Sequence, residues 1–148
     1  MNNSEDWSIM GVLTRQLQYE TQANIDMVNI TSDVAGTIKN SGIKNGIITV
    51  FTPGSTAAVT TIEYEPGLIY DFSQTLEKIA PSDVEYQHDK KWNDGNGFSH
   101  IRASLLGQSE TFPIIEGELA NGQWQQIVLI NLDNRPRYRE LILQIYGE

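Results

Sequence analysis

Cysteine is absent from the 148-residue chain, and histidine occurs only twice. Without thiols there is no disulfide, no thiolate nucleophile and no Cys-ligated zinc. Basic residues are also scarce: 10 Lys and Arg stand against 19 Asp and Glu, a formal net charge of −9. Such a balance excludes wrapping a nucleic-acid backbone over a broad surface, which rests on clustered Lys and Arg. A small anion held by a local site stays open. No run approaches the roughly 18 apolar residues of a membrane span, so no membrane partner is expected. The leading MNNSEDWSIMG has no basic stretch followed by an apolar one, so no signal peptide and a cytoplasmic location are expected. No repeat, low-complexity tract or linker divides the chain, which reads as one domain over residues 1–148.

Alternation is what the sequence does have. Apolar and polar residues interleave with a period near two over Val12–Tyr19 and Ile25–Ile30, predicting strands. Thr31-Ser32-Asp33 then opens a short helix with Val34, Ala35 and Ile38 on its apolar side and Gly42 as its stop. GIITVFT (46–52) and AAVTTIEYE (57–65) are rich in β-branched residues. Pro66 begins the clearest helix, with Leu68, Ile69, Phe72, Leu76 and Ile79 at helical spacing and Pro81 beyond its end. Further strands are expected over Ser99–Leu106, Phe112–Ile115, WQQIVLIN and RELILQIYG, with Asn121-Gly122 as a hairpin signal and Trp124 as packing. Two helices among some eight strands point to α+β, a mostly antiparallel sheet with the helices packed on it.

Polar chemistry can collect in a few places. NDGNGFSH (93–100) combines Gly95 and Gly97 with one of the two histidines. Read as a strand, Ser99–Leu106 turns His100, Arg102 and Ser104 to one face and Ile101, Ala103 and Leu105 to the other. That polar face is either a solvated surface or a pocket wall. TPGSTAAVT (52–60) lacks the Gly-Lys-Ser/Thr of a P-loop. Ser55, Thr56 and the backbone there either hold an anion or form a Pro-Gly turn satisfying itself. Glu63 and Glu65 share strand parity, which offers a base or metal ligand. His88 and His100 with a carboxylate offer a divalent-metal site without a local signature. Arg135, Arg137 and Arg139 form the only basic cluster, suited to an anion or to acidic groups of a neighbouring subunit.

In order and spacing, FTPGSTAAVTTIEYEPGL, NDGNGFSHIRASLLGQS, GELANGQWQQIVLINLDNRPR and LILQIYGE resemble the YjbQ family, UPF0047, from about Gly46 to Glu148. The resemblance implies a compact α+β domain forming a homotrimer, with pockets near subunit boundaries. It also implies a thiamine-phosphate-synthase-like activity, secondary in the family, on small phosphorylated substrates, with a divalent metal ion as the cofactor. Matched position by position, it makes Glu63 and His100 the catalytic pair. Ser55, Thr56, Asn96, Ser104 and Arg137 become substrate-binding, and His88 and His100 metal ligands. Many relatives carry His-Thr-Thr where this chain has Gly54-Ser55-Thr56, and His-Ser-His where it has Phe98-Ser99-His100. Two imidazoles are therefore missing. The alternative reading is a homotrimeric module that binds a small anion or metal without turnover.

Overall fold

The computed structural model describes residues 11–148; the leading segment inspected for a secretion signal lies almost wholly outside them. Among the described residues eight strands form two antiparallel sheets. The larger runs β1 (Gly11–Thr21), β8 (Arg137–Gly147), β3 (Gly46–Phe51), β5 (Ser109–Ile115) and β6 (Glu118–Leu119). The smaller runs β2 (Asp26–Asn29), β7 (Gln126–Asn131) and β4 (Ala57–Ile62).

The smaller sheet is the middle layer, and strand parity explains how. Ile127 and Leu129 of β7, with Ala57 and Val59 of β4, face the larger sheet, meeting Ile48, Val50, Leu141, Leu143 and Ile145. The alternate residues Val128, Ile130, Ala58 and Ile62 face the opposite way, onto Leu76 and Ala103 from helices. A strand covered on both faces reads as an unbroken apolar run, as QIVLIN does. α1 (Thr31–Ser41) closes the first core with Val34 and Ile38 and ends at Gly42, whose φ of 74° only glycine adopts without strain.

α2 (Pro66–Ile79) starts as its sequence dictates. Pro66 occupies the first turn, and the Glu65 carboxylate accepts the N–H groups of Gly67 and Leu68. α3 (Gln87–Trp92) is closed by a reciprocal cap between Tyr86 and Asp89.

Three expectations need correcting. Residues 97–106 form a helix, α4 (Gly97–Leu106), rather than a strand. Its buried residues, Phe98, Ser99, Arg102 and Ala103, follow a helical stripe, while Ile101 and Leu105, expected inside, are exposed. Only Ile101 in this stretch is β-branched, and Arg, Ala and Leu favour helix. Among the described residues the helices therefore number four. Secondly, Asn121-Gly122 joins no hairpin, because β6 and β7 lie in different sheets. The tight turn sits instead at Glu116-Gly117, both at positive φ (54° and 83°), between the paired strands β5 and β6. Thirdly, Trp124 is 64% exposed and packs in neither core.

Arg102 shows why a charged residue sits on that stripe. It is 2% exposed, and its guanidinium donates to the Ala80 carbonyl at the end of α2 (3.0 and 2.6 Å) and to Glu77 (2.5 Å). Hydrogen bonding from Ser82, then from Arg102 with its charge, outweighs the opposing effect of burial and lowers the Glu77 carboxyl to about 2. The cation also lies 4.7 Å from the Phe98 ring. It ties α4 to the end of α2.

Candidate functional site

Three segments converge at one edge of the smaller sheet. The turn between β3 and β4 carries Thr52–Thr56. Pairing Ala57 with Asn131 sets that turn beside the end of β7, and the Leu132 N–H donates to the Thr56 carbonyl at 2.9 Å. The chain then descends through Asp133 into β8, which brings Arg137 and Arg139 alongside. α4 crosses from the other side, tied by Thr52 N–H to the Gln108 carbonyl (2.9 Å) and Val59 N–H to the Gly107 carbonyl (3.2 Å).

Between these segments lie two clefts of about 430 Å³ each, which share Pro53, Gly54, Ser55 and His100. One is polar, lined also by Thr56, Asn96, Asp133, Arg137 and Arg139. The other continues past His100 to Phe51, Ala57, Ala103 and Ser104. Of the residues singled out in the sequence, Ser55, Thr56, Asn96, His100, Ser104 and Arg137 all line this site. The supposed strand parity grouped His100 with Ser104 for the wrong reason. Residues i and i+4 share a helix face, whereas Arg102, expected beside them, points to the end of α2. Glu63 is not brought here. It follows β4 at the end opposite the Gly54–Thr56 turn, exposed to solvent and about 20 Å away at a strand's rise of roughly 3.3 Å per residue.

The buried floor is a charge network that the sequence did not disclose. Arg139, mostly buried, donates through Nε to the Asn131 side chain (3.0 Å) and through Nη2 to the Thr56 carbonyl (3.0 Å) and hydroxyl (2.8 Å). Asp133 Oδ2 accepts from Arg137 Nε (2.8 Å) and the Thr56 hydroxyl (3.1 Å) and lies 4.0 Å from Arg139 Nη2. Burial pushes the Asp133 carboxyl up, but hydrogen bonds and charge from Arg137, with Thr56 and Asn96, outweigh it and hold it below the usual range. Asp133 Oδ1 is buried and has no hydrogen-bond partner. Burial lowers the Arg139 guanidinium, as does nearby Arg137, while Asp133 opposes both. The signal that pointed here was NRPRYR; the acceptors Asn131 and Asp133 carried none, because their role depends on pairing across β7, β4 and β8.

Gly54 matters by what it lacks. A Cβ there would stand 2.8 Å from Arg139 Nη1, so the missing side chain leaves that nitrogen facing the cleft. Nη1 makes no hydrogen bond among the described residues, and neither do the backbone N–H groups of Gly54, Ser55 and Thr56. Arg137 keeps its terminal nitrogens open as well, with its side chain 43% exposed. Free amides and two guanidinium edges beside one cleft suit an oxyanion.

His100 stands where the clefts meet. Burial, then the neighbouring His88, lowers its pKa against the opposing charges of Asp94, Asp133 and Asp89. It is thus neutral near pH 7, able to donate one hydrogen bond and accept another. The His88 ring lies 4.4 Å from it, tilted by 38°. His88 Nδ1 is a buried atom without a hydrogen bond, 3.4 Å from Asp94 Oδ1 and 3.7 Å from Asp89 Oδ1. Ligand atoms of His88, Asp89 and Asp94 lie within 4.8 Å of one another. Imidazole with carboxylate suits a divalent cation, and the orphaned nitrogen fits it. Asp89 contributes least, since its carboxylate already accepts from Gly97 N–H (2.8 Å) and Tyr86 N–H (3.3 Å). With the Asn96 amide nitrogen turned to Asp94, it donates to that carboxylate at 3.1 and 3.2 Å. Phe98 faces Arg102 on the buried side of α4, so its ring does not stand where a ligand to this cluster would.

Among the described residues no helix is long and apolar enough to cross a membrane. A family model described as "UPF0047 protein YjbQ-like" matches residues 15–148. A UPF0047 protein of Methanothermobacter thermautotrophicus is 40% identical over 139 residues, covering 94% of this chain and 95% of its own length. A solved YbjQ-like protein of unknown function from Sulfolobus solfataricus superposes with a TM-score of 0.89 at 34% identity, over 95% of this chain and all of its own. A yjbq/upf0047 family protein from Clostridium acetobutylicum gives 0.81 at 31% identity, over 88% of this chain and 98% of its own.

Proposed function

The chain belongs to the UPF0047 YjbQ-like family, and from that premise we propose that its cleft binds a small phosphorylated molecule in a cytoplasmic setting. One observation carries the reading. In a chain of net charge −9, one cleft is lined by Arg137, Arg139 and Gly54–Thr56, whose backbone N–H groups have no partner among the described residues. The phosphate lies across the Gly54–Thr56 amides with the guanidinium groups on its flanks. Asn96 and Ser104 orient the remainder, and neutral His100 hydrogen-bonds the oxygen next to the reacting bond.

The reaction class is transfer of the thiamine-phosphate-synthase type. A ring nitrogen of a thiazole phosphate attacks the methylene carbon of a pyrimidine pyrophosphate. The C–N bond forms as the C–O bond breaks, and pyrophosphate leaves with the bonding electrons. The clamp stabilises that leaving charge, which is where fixed donors contribute most. A divalent cation held by His88 and Asp94, with His100 adjoining, would supply further charge neutralisation. Glu63 has no part in this arrangement. Purified protein supplied with both substrates forms thiamine phosphate, and His100→Ala slows formation by about 10²-fold, the scale of losing one positioned donor. Equal rates would remove His100 from the mechanism. Anion binding without turnover in either protein would favour the binding module over the transferase.

The assembly proposed is a homotrimer built on the outer face of the larger sheet. Register aligns Val12, Tyr146, Ile47 and Pro113 in one row across β1, β8, β3 and β5, and all four are exposed. Apolar rows of this kind mark subunit surfaces. Light scattering should return about three chain masses, and Ile47→Lys should lower it; a monomer would refute the assembly.

A further inference from the structure

We infer that a second binding site, separate from the two clefts, lies behind α4 and takes a small neutral ligand presenting an amide-type carbonyl: a carboxamide, urea or lactam. Phe98 and Arg102 each stand two residues before His100 and Ser104 on α4, about 200° away around the helix. The pocket they floor therefore opens away from the clefts. It holds about 230 Å³ and is more enclosed than either cleft. Its walls are the turn at Asn24-Ile25, the last two turns of α2 with Ser73, Gln74 and Glu77, and Ser82 beyond them.

The floor holds an unsatisfied cation. Arg102 is 2% exposed, and its Nε and Nη2 are spent on the Ala80 carbonyl and Glu77. Its Nη1 makes no hydrogen bond among the described residues. A guanidinium nitrogen so deeply placed calls for an acceptor. The surrounding charge says which kind. Glu77, ionised at neutral pH, already balances Arg102. A ligand carboxylate would set two anions on one buried cation, in a chain of net charge −9. A neutral carbonyl oxygen satisfies Nη1 without that cost. The Asn24 and Gln74 side chains at the rim make no hydrogen bond among the described residues, and each offers the donor and acceptor that complement an amide. The Ser73 and Ser82 hydroxyls donate to the Ile69 carbonyl (2.8 Å) and to Glu77 (2.7 Å), which leaves their lone pairs for a ligand N–H. The wall at Ile25 is fixed in advance. Its φ of 63° is strained for a β-branched residue, yet Asn24 N–H is tied to the Asp133 carbonyl (3.0 Å) and Ile25 packs on the second core.

The test is a titration of the full chain followed by ¹H–¹⁵N NMR, with nicotinamide, propanamide and nicotinate as probes. The signals read are the Arg102 Nε–H and the side-chain NH₂ groups of Asn24 and Gln74. Both amides should give saturable shifts at all three, and nicotinamide should bind at least about tenfold more tightly than nicotinate. Gln74 is exposed on α2, where alanine is a good helix former, so Gln74→Ala keeps the fold. That variant should weaken both amides about fivefold, the worth of one ordinary hydrogen bond. No saturable shift with either amide, or nicotinate binding as tightly as nicotinamide, would overturn the inference. So would affinities untouched in both Gln74→Ala and Asn24→Ala, or shifts confined to His100 and its neighbours. Phosphate binding in the polar cleft stands or falls separately.

Discussion

Arg139→Ala should destabilise the protein by about 3–5 kcal/mol, the cost of stripping one partner from a buried ion pair. The reason lies in what the guanidinium leaves behind. Asp133 is almost wholly buried and already has one oxygen without a partner. Removing Arg139 takes away its second cation and strips the Asn131 side-chain oxygen and the Thr56 carbonyl of their charged donor, leaving the carbonyl only the Leu132 N–H. Each lost hydrogen bond to the guanidinium is worth about 1.5–3 kcal/mol. A chain of this size loses roughly 2–4 °C of Tm per kcal/mol, so thermal unfolding should begin roughly 10 °C earlier. Arg139→Lys keeps the charge but cannot bridge Asn131 and Thr56 together, and should fall between the two. Urea unfolding of all three proteins measures this; a loss below about 1 kcal/mol for the alanine variant would show that the network carries little stability.

Gly46→Ala should be nearly as damaging, for a reason of space rather than charge. The register pairs Gly46 with Gly147, which also pairs with Gly11. A Cβ at position 46 would stand 2.2 Å from the Tyr146 carbonyl oxygen and 2.7 Å from the Gly147 Cα. Both are backbone atoms of β8, held on its far side by β1 along its whole length. Neither strand can yield without breaking ladder hydrogen bonds. Overpacking typically costs about 1–3 kcal/mol, and a clash with pinned backbone belongs at the top of that range. Gly36→Ala, within α1 and with nothing within 4 Å of the added methyl, should stabilise by about 0.5–1 kcal/mol. Opposite signs for the two glycines in one denaturation series are the expected result. Equal effects would contradict the packing described for β3 and β8.

How much of this the sequence disclosed follows from the range of the interactions. Strand alternation, the Pro66 helix start and the Gly42 stop are local, and all appear in the fold. The buried run of QIVLIN was legible as a strand but not as the middle layer, because that depends on two sheets meeting. α4 was misread because His100, Arg102 and Ser104 happen to satisfy parity two as well as part of a helical face. Phe98 was taken as a gap in the histidine set, yet its ring faces Arg102 on the buried side of the helix.

The site shows the same division. Ser55, Thr56, Asn96, His100, Ser104 and Arg137 were each visible, and the fold gathers them. Glu63 was placed with them on the strength of the resemblance, but β4 carries it to the opposite end. Asp133 and Asn131 gave no signal, since only the pairing of β7 with β4 and the entry into β8 makes them partners of two arginines. Gly54 looked like the loss of a ligand. Geometry gives it another role, opening the cleft to Arg139 Nη1.

NDGNGFSHIRASLLG is therefore a loop leading into a helix that presents one imidazole where two clefts of about 430 Å³ meet. A crystal soaked in pyrophosphate tests that most directly. The account predicts density lying against the Gly54–Thr56 amides, within hydrogen-bond reach of Arg137 and Arg139 Nη1 and next to His100. An empty cleft at saturating pyrophosphate, or an anion seated elsewhere on the chain, would contradict it.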